Sequence, residues 1–511
     1  MRGGPRGPNH ARDPNENPPG GGRSLGYLGL VNTGPPGGSG RAGLRRTKIV
    51  CTIGPASDSP EALDALVAAG MDGARLNFSH GTHEEHAARA AAVRAAQERA
   101  GRPLALIADL QGPKVRVGHL DGPRILVEGD VVHIAGEAIA ASGDLPIMPA
   151  VLTEVLEPGH EVLVDDGLVR LRVEETNGER VRAMVMVGGA VGAHKGVNVP
   201  GVPIPVPSVT EKDLSDLEFA LSLGVDYVAL SFVRSAADCR GLRELLNAAD
   251  AKAQVIAKVE KAEALDELDA IVSAADAVMV ARGDLGVEIG PAAVPLVQKR
   301  IILCALEHGK PAITATQMLE SMITRPEPTR AEASDVANAI LDGTSALMLS
   351  GETAVGSYPV ESAAFMDRIA RAVEPSVPYR HELAQAADQP FPTVGEAMSN
   401  AACDIAEVLG AAAILVPTYS GRTASAVARH RPRRPIIAVT HKRQAVQQLA
   451  LEWGVVAAEI EEAKNVEDLW SRALDAARET GLVVAGDRIV ITAGTAVNVP
   501  GTTNLIRVET A

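Results

Sequence analysis

The sequence predicts an α/β protein: a (β/α)8 barrel that carries an inserted antiparallel β-domain and is followed by a C-terminal α/β domain. Short apolar, β-rich runs alternate with alanine-rich helical stretches from residue 47 onward, which is typical of βα units around a parallel sheet. About 115 residues separate the third run from the fourth, too many for one helix. A second series of strand, turn and helix patterns begins after about residue 385.

Eight apolar runs are the candidate strands of the barrel. They are TKIVCTIG (47–54), DGARLNFSH (72–80), PLALIADL (103–110), DYVALSFV (226–233), QVIAKVE (254–260), AVMVARGDL (277–285), PAITATQM (311–318) and SALMLSGE (345–352). In the helix after the first run, Ser59 can cap, Pro60 suits the first position and Gly70 suits the stop. Eight strands with interleaved helices over roughly 250 residues fit a (β/α)8 barrel, here formed by residues 44–112 and 208–382.

Three further segments complete the predicted organisation. Residues 113–207 alternate apolar and polar residues between Gly and Asp turns, which indicates a small antiparallel β-domain. Residues 388–511 carry the strand, Gly-rich turn and helix patterns of an open α/β sheet. Residues 1–43 are rich in Gly, Pro, Arg and Asn and are predicted to be a disordered tail.

Composition excludes several classes of protein. The chain has 49 basic and 64 acidic residues and a formal charge of -15, which repels nucleic acid and anionic lipid at long range. Neither is therefore expected as a partner. Apolar runs are far shorter than a membrane span and no signal-peptide pattern opens the chain, so we expect a cytoplasmic protein. The four cysteines show no CxxC spacing, so neither a zinc site nor a disulfide framework is predicted.

Polar residues end almost every predicted barrel strand, at the face where active residues of such barrels lie. The period of two in QVIAKVE turns Lys258 and Glu260 toward the barrel interior near its mouth. The same alternation in ARLNFS turns Arg75, Asn77 and Ser79 inward. Further polar strand ends complete the predicted ring: Asp109, Asp284, Thr316, Ser350 and Glu352.

Glu260 and Asp284 are the candidate metal ligands. Two carboxylates with main-chain carbonyl or water ligands form an oxygen site suited to Mg²⁺ or Mn²⁺, and zinc is disfavoured because no His or Cys accompanies them. Gly283 offers backbone N–H groups that can approach an anion. Arg75 and Lys258 supply the positive charge that phosphoryl transfer requires. The pattern therefore indicates phosphoryl chemistry.

Each of these signals has a structural alternative. A Lys-x-Glu pair at a strand end, here Lys258 and Glu260, is more often an ion pair. Thr316 can be a helix N-cap, and Ser79 and His80 can be turn residues. The convergence of the polar strand ends on one mouth is what favours a functional site.

A series of longer motifs extends through the chain from about residue 45 to residue 511. In order they are TIGPAS, ARLNFSHG, VDDGL, KGVNVPG, ARGDLGVE, ATQMLESM, PTRAEASDVANAILDGTSALMLSGETAVGSYP and SGRTA. In this order they resemble the pyruvate kinase family. The resemblance implies a TIM barrel, an inserted antiparallel β-barrel that acts as a lid domain, a C-terminal α/β regulatory domain and a homotetramer.

The resemblance also implies the last step of glycolysis, in which phosphoenolpyruvate and ADP give pyruvate and ATP. Glu260 and Asp284 would hold Mg²⁺ or Mn²⁺. Lys258 would stabilise the migrating phosphoryl group, and Arg75 would hold a phosphate oxygen. Gly283, Asp284 and Thr316 would line the substrate carboxylate, with Thr316 on a proton path to the enolate carbon.

Nucleotide contacts are implied for a further set of residues: Asn77, Ser79, His80, Arg116 and Lys195. The last two would enter from or beside the lid domain. Closure of the lid would exclude the water that otherwise hydrolyses the phosphoryl group.

One departure from the family pattern predicts that K⁺ is not required. Many members hold a monovalent cation with the counterparts of Asn77, Ser79 and Asp109 and with a threonine. They also carry a glutamate four residues beyond that threonine. Here Leu110 replaces the threonine and Lys114 stands at the position of the glutamate. An ammonium group fixed on the chain can supply the missing charge.

The C-terminal domain contains a candidate effector loop, TYSGRTA. Thr418, Ser420 and Thr423 surround Gly421 at a strand-to-helix turn, which is a suitable phosphate cradle. The loop resembles the effector loop of the family, so a sugar phosphate is a candidate effector. An ordinary turn between a strand and a helix is the alternative.

Two other functions compete with the kinase. A Mg²⁺-dependent barrel lyase or aldolase acting on a pyruvate enolate would also use Glu, Asp and Arg. It would need neither the inserted domain nor Lys258 within reach of a phosphoryl group. A catalytically inactive metabolite sensor would keep the effector domain, but the intact set of polar strand ends argues against it.

Overall fold

The computed structural model describes residues 3–4, 44–376, 393–494 and 503–511. The predicted disordered tail, residues 1–43, lies outside the described residues except for 3–4. The boundaries predicted at 382 and 388 fall in the segment 377–392, also outside them. The domain boundaries therefore stay predictions.

The strands belong to the barrel, the insertion and the C-terminal sheet, and the barrel strands lie before and after the insertion in the chain. The first barrel strands are β1 Lys48–Thr52, β2 Gly73–Asn77 and β3 Ala105–Asp109. The insertion contains β4 Arg116–Val117, β5 Arg124–Leu126, β6 Val131–Gly136, β7 Leu145–Met148, β8 Glu161–Val164, β9 Val169–Thr176, β10 Arg180–Val187, β11 Gly189–Val191 and β12 Val197–Asn198. The later barrel strands are β13 Tyr227–Leu230, β14 Gln254–Val259, β15 Ala277–Ala281, β16 Ala312–Ala315 and β17 Ala346–Leu349. The C-terminal strands are β18 Ala413–Pro417, β19 Ile436–Thr440, β20 Val455–Glu459, β21 Arg488–Gly494 and β22 Thr503–Thr510.

The helices lie mainly between the strands of the barrel and of the C-terminal sheet. They are α1 Pro60–Ala68, α2 His83–Ala100, α3 Leu152–Val155, α4 Glu211–Ser222, α5 Ala236–Ala248, α6 Leu268–Ala274, α7 Arg282–Ile289, α8 Val294–Glu307, α9 Arg330–Leu341, α10 Gly351–Ala354, α11 Pro359–Val373, α12 Val394–Val408, α13 Arg422–Arg429, α14 Arg443–Gln448 and α15 Val466–Glu479. Helix α1 begins as predicted, because Ser59 Oγ accepts from the Ala62 N–H at 3.2 Å and Pro60 is the first helical residue. None of the helices in the described part of the chain is both long and apolar enough to cross a membrane.

All eight predicted runs are strands of one closed parallel barrel, paired in the order β1, β17, β16, β15, β14, β13, β3, β2. Strand β1 pairs with β17, the last barrel strand along the chain, and the pairing of Lys48 with Ala346 is part of this contact that closes the cylinder. The (β/α)8 prediction is confirmed. Because parallel strands all end at the same face, the residues after them meet at one mouth.

The insertion forms a seven-stranded sheet in the order β12, β8, β9, β10, β6, β7, β4, with a separate pair, β11 and β5. Arg116 on β4 bridges to Gly196, next to β12. The Val197 N–H donates to the Val115 carbonyl at 2.9 Å, so the two outer strands of the sheet meet. The predicted antiparallel domain is confirmed, although β6 and β7 pair in parallel.

The C-terminal domain has a five-stranded sheet in the order β20, β19, β18, β21, β22. Its strands are parallel except β22, which runs antiparallel to β21. The predicted open α/β sheet is confirmed.

The barrel has an inner and an outer hydrophobic layer. Ile256 and Met279 belong to the cluster inside the barrel, whereas Val255 packs in the outer cluster with the helices. Leu451, from the C-terminal domain, joins the inner cluster. The hydroxyl of Tyr227, a buried barrel residue, donates to the Gln448 carbonyl at 2.8 Å. The C-terminal domain therefore packs against the barrel core.

Candidate active site

Lys258 lies at the centre of the predicted mouth. It is the second-last residue of β14, and its side chain is directed toward the barrel interior. Its Nζ is 2.9 Å from Glu260 Oε1, 3.1 Å from Asp109 Oδ1 and 2.7 Å from Ser231 Oγ. Burial disfavours the charged form of Lys258, but the two carboxylates outweigh burial and raise its pKa above the ordinary value. The structure therefore holds a charged ammonium group at the strand ends.

Arg75 is the second cation of the mouth. Its Nε donates to Asp109 Oδ2 at 2.6 Å and its Nη1 to Thr52 Oγ1 at 3.1 Å. Burial alone would raise the pKa of Asp109, but Lys258 and Arg75 lower it. Asp109 thus stays ionised and orients both cations.

Glu260 and Asp284, the predicted metal ligands, lie near enough to interact electrostatically. Burial raises the pKa of Glu260 and Lys258 opposes this, while the negative charge of Asp284 raises it further. Glu260 Oε2 accepts from the Phe232 N–H at 2.7 Å, and Asp284 lies in the first turn of α7. The two carboxylates offer oxygen donors without a His or Cys, and this donor set fits a hard divalent ion.

The loop after β16 brings Thr316 to the start of α7. The Gly283 N–H donates to Thr316 Oγ1 at 2.8 Å. Thr316 has a φ of 67° and Gln317 a φ of 53°, and positive φ at a β-branched residue is strained by about 1–3 kcal/mol. Arg282 holds this loop, since its Nη2 donates to the Thr316 carbonyl at 2.7 Å and its Nη1 pairs with Asp335 at 2.6 Å.

The residues implied to contact a nucleotide lie partly on the barrel and partly on the inserted domain. Asn77 Oδ1 accepts from the Ser79 N–H at 3.2 Å. Partial burial lowers the pKa of His80, and the nearby cations Arg116, Arg75 and Lys114 lower it further.

Arg116 and Lys195 belong to the inserted domain. Arg116 Nη1 donates to the His194 carbonyl at 3.0 Å. Lys195 Nζ pairs with Asp165 at 3.0 Å and is about half exposed. Arg116 thus lies within electrostatic range of His80 on the barrel, while Lys195 is held on the lid side.

Lys114 reaches the mouth and pairs there with Asp284. The resemblance instead implied a position beside Asn77, Ser79 and Asp109. The Lys114 Nζ lies 3.2 Å from Asp284 Oδ1 and 5.8 Å from the centre of the Phe232 ring. Leu110 is fully buried and packs in the outer barrel cluster. The assignment of Lys114 to the position of a monovalent cation stays a prediction.

The Glu352 carboxylate serves the backbone: it is buried and accepts from the Leu319 N–H at 3.0 Å and from the Ser350 N–H at 2.7 Å. These bonds tie the loops after β16 and β17 together. A carboxylate can satisfy several backbone donors, which is why a polar strand end need not be catalytic.

Two residues of the site were missed from the sequence. Ser231 directly follows β13 and contacts Lys258, and the strand-end rule could have found it. Arg282 directly follows β15, so the same rule could have found it, although the loop that it holds lies more than thirty residues further along the chain.

The candidate effector loop is an ordered turn at the start of α13. Gly421, with a φ of 86°, is the N-cap residue, and its N–H donates to Thr418 Oγ1 at 3.1 Å. Thr423 Oγ1 lies 2.8 Å from Thr503 Oγ1. Ser420 stands between them in the turn. Its role in phosphate binding stays a prediction.

This fold and site define a class: barrel enzymes that use a divalent ion and fixed cations to act on an anionic substrate. The model of the pyruvate kinase barrel domain matches residues 44–363, and that of the pyruvate kinase alpha/beta domain matches residues 396–509. The chain belongs to the pyruvate kinase family.

Curated relatives agree with this assignment. The pyruvate kinase of Geobacillus stearothermophilus is 46% identical over 470 residues, 91% of this chain and 80% of the relative. That of Mycobacterium intracellulare is 46% identical over 467 residues, 91% of this chain and 98% of the relative. That of Sporosarcina psychrophila is 44% identical over 471 residues, 91% of this chain and 80% of the relative. A lyase or aldolase is not favoured.

Proposed function

We propose that the chain transfers the phosphoryl group of phosphoenolpyruvate to ADP, giving pyruvate and ATP. The observation that carries this proposal is the Lys258 ammonium, held between Asp109 and Glu260 beside Arg75 at the barrel mouth. Two fixed cations at one point match the charge that spreads over the nonbridging oxygens during phosphoryl transfer.

Glu260 and Asp284 would hold the divalent ion, Mg²⁺ or Mn²⁺. When bound, the ion supplies positive charge to the enolate and carboxylate oxygens and to the phosphoryl group. Lys258 would stabilise the phosphoryl group as it moves, and Arg75 would hold one of its oxygens. Asp109 keeps both cations oriented through the contacts described above.

Gly283 and Thr316 would receive the substrate carboxylate together with Asp284. The Thr316 hydroxyl donates to the Ala315 carbonyl at 2.6 Å while it accepts from Gly283. A hydroxyl that both donates and accepts can pass a proton, which supports a place for Thr316 on the path to the enolate carbon.

The nucleotide would lie between barrel and lid. On the barrel side we assign Asn77, Ser79 and His80, and on the lid side Arg116 and Lys195. The cations on the lid side favour a polyphosphate there. Approach of the lid would exclude water from the phosphoryl group.

A coupled assay tests the proposed function: ATP formed from phosphoenolpyruvate and ADP in the presence of Mg²⁺. We expect turnover that depends on all three components. Cleavage or formation of a carbon–carbon bond in pyruvate-derived acids, without ATP formation, would instead establish the lyase or aldolase. Absence of both activities in folded protein, together with binding of a sugar phosphate, would favour the metabolite sensor.

We predict that K⁺ does not activate the enzyme. With Na⁺ or tetramethylammonium as the only monovalent cation, kcat should stay within about twofold of its value in K⁺, because Lys114 supplies a fixed positive charge at the mouth. Lys114→Glu should lower kcat without K⁺ by about 10²-fold and make the enzyme K⁺-dependent. Activation of the unaltered enzyme by K⁺ of more than about tenfold would contradict the role of Lys114.

The regulatory features rest on family resemblance. A sugar phosphate would bind the loop formed by Thr418, Ser420, Gly421 and Thr423, and a homotetramer would carry the response between subunits. Neither a nucleic acid nor a membrane is proposed as a partner, and the cytoplasm is the proposed compartment. Steady-state kinetics with a panel of sugar phosphates, for the unaltered chain and for Ser420→Ala, identifies the effector.

A further inference from the structure

A second set of potential metal ligands lies on the outside of the barrel, away from the mouth. Cys304 and His308 come from the end of α8, and Asp269 comes from α6. One ligand atom from each of the three residues lies within 4.8 Å of the other two. The cysteine spacing predicted no zinc site, but that rule considers pairs of cysteines and overlooks a Cys and a His four residues apart.

The fold brings these side chains together by helix geometry and by packing of two neighbouring helices. Residues four apart on a helix share one face, and the His308 N–H donates to the Cys304 carbonyl at 3.1 Å, so the helical spacing continues to His308. Across the interface, His308 Nε2 lies 2.8 Å from Asp269 Oδ1. One imidazole is therefore already oriented by a carboxylate.

The end of α8 is electrostatically suited to a cation. The C-terminus of a helix carries partial negative charge, and the last turn of α8 has no basic residue. Glu307 adds a further negative charge close to Cys304, and Arg300, one turn earlier, opposes it. Asp269, whose side chain is 84% exposed, leaves the cluster open to ions from solution.

One sulfur, one nitrogen and one oxygen donor select a borderline ion such as Zn²⁺ over Mg²⁺, which prefers oxygen. Zinc bonds of about 2.0–2.3 Å place tetrahedral ligand atoms about 3.3–3.6 Å apart. The His308 and Asp269 atoms are closer than this, at 2.8 Å, and all three ligand atoms lie within 4.8 Å of one another. Only small side-chain movements are required.

We propose that Cys304, His308 and Asp269 bind a zinc-type divalent ion, with solvent completing the coordination, at a site separate from Glu260 and Asp284. A nucleophilic role for Cys304 fits less well, because the residue exposes 8% of its surface and a substrate could not reach the thiol. An ion is small enough to enter beside the exposed carboxylate.

Binding of the ion would link α6, through Asp269, to the end of α8, through Cys304 and His308. The chain continues from α8 through Lys310 and Pro311 into β16, which ends immediately before Thr316. The bound ion would thus stabilise the segment that leads into one strand of the catalytic mouth. We expect Zn²⁺ to raise the Tm of the full chain.

Cobalt spectroscopy on the full chain tests the site. After chelator treatment the protein is saturated with Mg²⁺, which competes for the carboxylates at the mouth, and is then titrated with Co²⁺. We expect a sulfur-to-cobalt charge-transfer band that saturates at about one equivalent and disappears when Zn²⁺ is added. Cobalt bound by Glu260 and Asp284 alone gives no such band, since it has no sulfur ligand.

Three variants separate this site from other thiols. Cys304→Ser should abolish the band and the effect of Zn²⁺ on Tm. Asp269→Asn, a change at an exposed residue, should keep the fold and weaken Co²⁺ binding by about tenfold or more. Glu244→Gln, at an exposed position of α5 outside the cluster, is the control and should retain the band and bind Co²⁺ within about threefold of the unaltered chain. No band at one equivalent, or a band that persists in Cys304→Ser, would overturn the proposal.

Discussion

Lys258→Met is expected to lower kcat by about 10³-fold or more. The ammonium group is the fixed cation closest to the candidate metal ligands, 2.9 Å from Glu260, and the thioether has no charge to offer a migrating phosphoryl group. Steady-state ATP formation at saturating phosphoenolpyruvate, ADP and Mg²⁺ measures the effect. A kcat within about tenfold of the unaltered enzyme would remove Lys258 from the proposed chemistry.

A control is needed because Lys258→Met also leaves Asp109 and Glu260 buried without their shared cation. Removing one partner of a buried ion pair costs about 3–5 kcal/mol, so circular dichroism and Tm must show that the variant is folded. Exchange of the methyl protons of pyruvate with solvent should persist, since it needs the metal and a proton path but no phosphoryl transfer. Lys252→Met, at a solvent-exposed lysine that pairs with Asp250, should leave kcat within about twofold.

Glu260→Gln is expected to weaken Mg²⁺ or Mn²⁺ binding by about 10²-fold. The amide keeps the shape of the side chain and can still accept from the Phe232 N–H, but it replaces an anionic ligand by a neutral one. Titration with Mn²⁺, followed by its paramagnetic resonance signal, measures the affinity directly. Glu244→Gln, on the exposed side of α5, is the matched control, and equal affinities in the two variants would refute the assignment of Glu260 as a ligand.

The same carboxylate should make metal binding depend on pH. Burial raises the pKa of Glu260, and only the ionised form can bind a divalent ion. Affinity should therefore fall as the pH is lowered through this raised pKa, at a higher pH than for an ordinary glutamate. Glu260→Gln should lose this part of the pH dependence.

Local patterns predicted the barrel well. Each of the eight apolar runs contains one barrel strand, and the period of two placed Ile256 inside and Val255 outside, as the two core clusters confirm. Strand periodicity is a property of neighbouring residues, so it can be read without knowing what the strand packs against. The same periodicity turned Arg75 and Lys258 toward the mouth.

Contacts between distant segments could not be predicted in the same way. Arg282 holds the loop of Thr316, and the Glu352 carboxylate accepts from the Leu319 N–H. The pairing of Lys114 with Asp284 joins residues that are 170 positions apart. Each of these contacts depends on the directions in which side chains point at the ends of different strands. A local sequence pattern does not contain this information.

The sequence by itself determined the order of strands and helices, the faces of the barrel strands and the residue types at their ends, because backbone periodicity and helix caps act over a few residues. Only the tertiary structure decided which polar strand ends meet and which carboxylates accept hydrogen bonds from backbone N–H groups. It also decided that Cys304, His308 and Asp269 lie close together on the outside of the barrel. The reason is physical: pairing energies depend on distances of a few ångströms, and closure of the barrel sets those distances for residues far apart in the chain.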